Sequence, residues 1–210
     1  MNTTKLDHPE LVDLMRRAYS AERAASFAYI GHAGSLKDPK EKEVVKQIED
    51  DEWDHRSNLS VMMKQYDISP SAYYELKYFI IGKIIGYSCY AIGWFMPYFF
   101  AGRLESGNVC EYFRMMQYFN SLGITEHDEI LYEMGIKEKE HEVIFLDMVK
   151  NEPWLPYFEK LFEWGVDHSE NDVDLENKLS ILESKRYCKS QKKEQAGAHN
   201  GEQPKAARGM

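Results

Sequence analysis

The sequence predicts an all-α protein: a four-helix bundle made of two helix hairpins. An apolar helical insert separates the second and third helices, and extra helices follow the fourth. Three observations predict this. Apolar residues recur at steps of three and four along four separate stretches, the period of a helix with one buried face. Each apolar stripe is interrupted by a glutamate, and on two of them a histidine follows three residues later. Finally, the four stretches fall into two halves that match one another residue for residue at those interruptions.

The first helix should begin at Asp7-His8-Pro9-Glu10, with Asp7 as N-cap, proline in the first turn and Glu10 three residues beyond the cap. Its stripe runs Leu11, Leu14, Ala18, Glu22, Ala25 and Tyr29, ending near 31–34. Asp38-Pro39-Lys40-Glu41 repeats the start signal, and the second helix should reach about Tyr66. There Val45, Ile48, Leu59 and Met62 mark the buried face, and the positions between them are Glu52 and His55. A charge on a core stripe is costly unless it is paired or bound to a metal.

The insert occupies 70–101. From Tyr78 to Ala101 its single charge is Lys83, and the length would suit a membrane span. Gly82, Gly86, Gly93 and Pro97 punctuate it, however, and a span would put the two hairpins on opposite sides of a bilayer. Buried or interface-lying helices are therefore expected. A third helix over 102–122 carries Glu105, Val109, Tyr112, Met116 and Phe119 on its stripe. The fourth should start at a capping box, Thr125-Glu126-His127-Asp128, and run to about Lys150 with Leu131, Met134, Glu138, His141, Phe145 and Met148 inward.

Residues 152–188 read as C-terminal helices. An aromatic amphipathic segment at 153–164 would pack across the bundle or onto a membrane surface, and a short helix would cover about 172–187. Residues 1–188 thus form one domain, and 189–210, polar and without periodicity, read as a disordered tail. A length of 210 residues fits one domain with a substantial core. A net charge of −9 argues against nucleic-acid partners, which need a basic face. Three scattered cysteines without a C-x-x-C, and an N-terminus without a basic-then-apolar layout, point to a cytoplasmic setting.

The repeat carries the chemistry. Glu22 and Tyr29 are seven residues apart, as are Glu105 and Tyr112, and Glu52 stands to His55 as Glu138 does to His141. Each half is therefore one helix with a core glutamate followed by one with a core Glu-x-x-His. One such motif alone is equally well accounted for by a solvated acidic face, since Glu49, Asp50, Asp51 and Asp54 surround Glu52. Two, with matching partners, point to a di-metal site of Glu22, Glu52, His55, Glu105, Glu138 and His141. Four carboxylates balance the charge of two divalent cations, and oxygen-rich ligation without thiolate favours iron or manganese. Tyr29 and Tyr112 are ordinary core tyrosines or, alternatively, partners of the ligand carboxylates. Asp51 and Asp54 are solvent-facing acids or partners of a ligand imidazole. His127 reads as a surface residue at the helix start, and His8 and His32 have no companions.

On these residues the chain resembles the ferritin-like diiron-carboxylate superfamily, and within it the demethoxyubiquinone hydroxylase family. Glu22 with Tyr29, Glu52-Trp53-Asp54-His55, Leu104-Glu105-Ser106 with Tyr112, and Glu138-Lys139-Glu140-His141 carry the likeness, which covers about Leu11 to Gly165. The insert is more aromatic than that family implies, and nothing beyond Gly165 has a counterpart. The resemblance implies two iron ions, with manganese as an alternative, and an O₂-dependent monooxygenase acting on an apolar, quinone-like or lipidic small molecule. It also implies a separate electron donor, and peripheral membrane contact through 78–101. A homodimer is compatible with it. A rubrerythrin-like peroxide reductase and an iron-storage protein are the other readings of the same ligands.

Overall fold

The computed structural model describes residues 5–166 together with 183–184, and among these it is all-helical, with six helices and no strand. The helices are α1 (Pro9–Ser35), α2 (Pro39–Gln65), α3 (Ala72–Ser88), α4 (Phe95–Ser121), α5 (Asp128–Val149) and α6 (Leu155–Phe162). The helix expected over 172–187 and the tail at 189–210 lie outside the described residues, Glu183 and Ser184 apart.

Two helix starts differ from expectation. His8, not Asp7, caps α1, its Nδ1 accepting from the Leu11 backbone N–H at 3.1 Å. At α5 the Thr125 box does not form. His127 holds the cap position without a side-chain cap bond, and it is buried, its Nε2 2.7 Å from the Tyr66 hydroxyl. Asp38 caps α2 as its sequence implies, accepting from the Lys40 and Glu41 backbone N–H groups.

The insert is not one unit. Its first part is α3, and its last residues, from Phe95, are the opening two turns of α4, which therefore starts seven residues before Gly102. Gly93, at φ +82°, ends the intervening turn. Gly82 and Gly86 have a different task, since α3 passes through them without a break. A Cβ at Gly82 would stand 2.6 Å from the Ala24 carbonyl oxygen, and one at Gly86 2.7 Å from that of Phe27. Glycine here brings α3 into backbone contact with α1. Lys83, the one charge between Tyr78 and Ala101, lies 3.8 Å above the centre of the Phe27 ring. Glu75 locks the start of α3 down, accepting from Ser20 at 2.8 Å, Arg23 at 3.1 Å and Arg56 at 2.9 Å.

The opposite face of α3 is bare: Tyr73, Leu76, Ile80, Ile84 and Tyr87 form an exposed apolar stripe. No helix among the described residues is long and apolar enough to cross a membrane. The aromatic segment at 153–164 packs on the start of α4. Phe158 stands 5.1 Å from Phe95 and 5.2 Å from Phe99, and Phe162 stands 5.1 Å from Phe100, centroid to centroid. Trp164 then reaches back to α5, donating to Glu142, which also pairs with the buried Lys139 at 2.8 Å.

Two apolar clusters fill the interior. One is rich in methionine (Met15, Met62, Met63, Met115, Met116, Met134), and the other in aromatics (Tyr29, Tyr98, Phe99, Phe145, Trp164). Between them α1, α2, α4 and α5 converge on a set of buried polar side chains.

Candidate metal centre

Glu22 comes from α1, Glu52 and His55 from α2, Glu105 from α4, and Glu138 and His141 from α5; all six are buried, none more than 4% exposed. The i, i+3 spacing puts each glutamate and its histidine on one helical face. Ligand atoms of Glu22, Glu52, His55 and Glu138 lie within 4.8 Å of one another, and so do those of Glu52, Glu105, Glu138 and His141. Glu52 and Glu138 belong to both groups. Each group has three carboxylates and one imidazole.

The atoms that face inward are unsatisfied. His55 Nδ1 lies 2.9 Å from Glu138 Oε1, and His141 Nδ1 3.4 Å from Glu52 Oε1, but neither approach has hydrogen-bond geometry. Together with Glu52 Oε2, these four are buried polar atoms without a hydrogen-bond partner. An orphan of this kind costs about 1–3 kcal/mol, so five at one place need a common partner. Lone pairs of two imidazoles and two carboxylates converging on one space fit divalent cations.

The outward-facing atoms are well held. Tyr29, on α1, donates to Glu105 on α4, and Tyr112, on α4, donates to Glu22 on α1. The two bonds cross between the halves. Asn108 donates to Glu105 Oε2 at 3.1 Å and to Glu138 Oε2 at 3.3 Å. His141 Nε2 lies 3.0 Å from Asp51 Oδ2, and an Nε2–H donated there leaves the Nδ1 lone pair facing the cluster. His55 has no such carboxylate among the described residues; its ring stands edge-on to Tyr112 at 5.5 Å. The two halves are matched in ligands but not in their surroundings.

The electrostatics follow from packing acids in a dry space. Burial first, and then repulsion from Glu138, Glu105 and Glu22, pushes the Glu52 carboxyl well above its usual range. Burial and the Glu138 charge do the same to Glu105. Glu138 is pushed up to about 8, again chiefly by burial. Burial lowers the His55 imidazole, although the surrounding carboxylates work against it. Burial would raise Asp51, but its hydrogen bonds with His141 and Gln47 outweigh that and hold it below the ordinary value. Protons or cations must therefore accompany these acids, and cations would satisfy the imidazole Nδ1 atoms as well.

All six residues singled out by the repeat meet in this cluster. The tyrosines donate to carboxylates of the cluster, each to that of the other half. Asp51 touches His141, whereas no Asp54 bond to an imidazole is found among the described residues. Asn108 was not foreseen; its position three residues after Glu105 was the available signal. No family model, no curated protein and no solved structure matches the chain. The site therefore stands on its own chemistry.

Proposed function

We propose that the cluster holds two iron ions, with manganese the alternative, and that the chain is an O₂-dependent diiron oxidoreductase. On this reading it is a monooxygenase of an apolar, quinone-like or lipidic substrate, with α1, α2, α4 and α5 as a ferritin-like bundle. The observation that carries the reading is the overlap of the two ligand groups through Glu52 and Glu138, with unpartnered nitrogen and oxygen atoms facing one space. Glu22 and His55 would complete one ion's set, Glu105 and His141 the other's, and Glu52 and Glu138 would bridge.

When bound, an iron pair supplies the redox chemistry with O₂ that no side chain here can perform. The chain's own residues hold and orient. Tyr29 and Tyr112 fix the terminal carboxylates, Asn108 ties Glu105 to Glu138, and Asp51 sets the ring of His141. The surrounding apolar clusters exclude water, which strengthens every charge interaction inside. The bare stripe on α3 supports contact with a membrane surface, a source of apolar substrate. Electrons would come from a separate donor.

Anaerobic reconstitution with ferrous iron followed by elemental analysis tests the centre: two ions per chain are expected, and fewer than two would sink it. Peroxide consumption far faster than O₂ uptake would favour a peroxide reductase instead. Mass spectrometry of co-purifying lipids and quinones tests the substrate class.

A further inference from the structure

Tyr29 and Tyr112 are equivalent in the repeat but not in the fold. Tyr112 sits in the methionine-rich cluster, with the His55 imidazole as its ring neighbour. Tyr29 instead begins a file of rings that reaches the surface. Its ring stacks on Phe145 at 5.7 Å, Phe145 stands 6.1 Å from Tyr98, and Tyr98 stands 4.8 Å from Trp94, whose indole is 38% exposed. His32 bridges the middle, 4.5 Å from Tyr98 and 6.3 Å from Phe145. At the outer end one carboxylate serves both oxidisable rings. Glu41 Oε2 accepts from Trp94 Nε1 at 2.9 Å and from the Tyr98 hydroxyl at 3.3 Å. At the inner end the Tyr29 hydroxyl donates to Glu105.

We propose that Trp94, Tyr98 and Tyr29 form an electron-release path that protects the metal centre from oxidant when no substrate is present. The proposal rests on the di-metal reading above. Peroxide becoming two waters takes up two electrons and two protons. When the metal pair is already oxidised, those electrons must come from the protein. One at a time they pass inward along the file. Tyr29 and Tyr98 return to their starting states, so the net loss on each pass is one electron from Trp94, whose indole proton goes to Glu41. A one-electron reductant in solution, ascorbate for example, returns the electron, and Glu41 returns the proton. Over two passes one peroxide and two ascorbate monoanions give two waters and two ascorbyl radical anions, the two protons that the ascorbates release to solvent balancing the two taken up from solvent at the peroxide. Without this exit the oxidising equivalents would fall on the adjacent methionine-rich cluster, whose thioethers oxidise readily.

The full-length protein, loaded with iron and oxidised, is mixed with peroxide and frozen at intervals for electron paramagnetic resonance, with and without ascorbate. The expected result is an organic radical that ascorbate removes quickly. In Trp94→Phe and in Tyr98→Phe the radical should remain on tyrosine, and its removal should slow by an order of magnitude. Mass spectrometry should then find more oxidised methionine. Glu41→Gln keeps the rings and removes the proton acceptor, so it should slow removal too. Trp154→Phe, an exposed indole outside the file, should behave as the parent. If Trp94→Phe and Tyr98→Phe match the parent while two irons are bound, the path is wrong and the metal reading stands. If no iron binds, both fail together.

Discussion

Removing metal and raising the pH from 6.5 to 8.5 should loosen the fold, and the size of the effect follows from the cluster. In the folded chain Glu138 keeps its proton up to about 8, against an ordinary value of 4.5. A group with a raised folded pKa gives stability that is complete below the unfolded value and is lost as the pH climbs to the folded one. Between pH 6.5 and the folded value of about 8, the loss spans about 1.5 units and is worth about 2 kcal/mol at ~1.4 kcal/mol per unit, from Glu138 alone. Glu52 and Glu105, raised by burial and mutual repulsion, act in the same direction.

The buried imidazoles act the other way. His55 is lowered and His32 is lowered to about 4, both by burial. Their contributions grow as the pH rises and level off within about one unit above 6.5, so toward pH 8.5 the carboxylates set the slope. Domain stabilities are of order 5–15 kcal/mol, so a loss of about 2 kcal/mol from Glu138, to which Glu52 and Glu105 add, is a measurable fraction of the whole. Urea unfolding followed by circular dichroism at pH 6.5, 7.5 and 8.5, in chelator, should show the metal-free midpoint falling at each step. Saturating manganese(II) under anaerobic conditions should raise the midpoint, and more so at higher pH, because the ions displace the protons. A metal-free midpoint that is flat or rising over this range would refute the reasoning, since the carboxylates would then ionise freely inside the fold.

Substituting Glu52→Leu removes the carboxylate common to both ligand groups. It should abolish binding of both ions by elemental analysis yet raise the melting temperature of the metal-free protein at pH 8, because a buried acid is replaced by a packed side chain; retention of one ion would count against bridging. Asp51→Asn should weaken the ion held by His141 by roughly 10–100-fold in a chelator competition, leaving the other ion much less affected. Equal weakening at both would contradict the asymmetry. Gly86→Val places a side chain where a Cβ already meets the Phe27 carbonyl oxygen at 2.7 Å, and should cost about 1–3 kcal/mol; an unchanged thermal midpoint would mean that α3 does not need this contact. The double substitution Ile80→Lys with Ile84→Lys on the bare face of α3 should reduce co-sedimentation with lipid vesicles, and undiminished binding would remove α3 as the contact surface.

The buried Glu/His cluster was legible because a glutamate on an apolar stripe is conspicuous, and because Glu-x-x-His recurs on the matching stripe of each half. A solvated acidic face has no reason to repeat at the same place on two core stripes. The insert was less legible. Gly82, Gly86 and Gly93 look alike in the chain, but only Gly93 bends it, at positive φ, while the other two lie within a continuous helix against α1. What a glycine does depends on whether another backbone stands against it, and that neighbour comes from a distant part of the chain. The same limit applies to the helix starts, where His8 rather than Asp7 caps α1.

The sequence by itself determined the helical periods, the two matched halves and the six polar residues on their buried faces, because these depend on spacing within one helix. Only the tertiary structure decided that Glu52 and Glu138 are shared and that Tyr29 and Tyr112 cross to each other's half. It also decided that Asp51 favours His141 and that one tyrosine alone joins a file of rings to the surface. These are contacts between helices, set by how four of them pack around one space, and no spacing along a single helix encodes that packing.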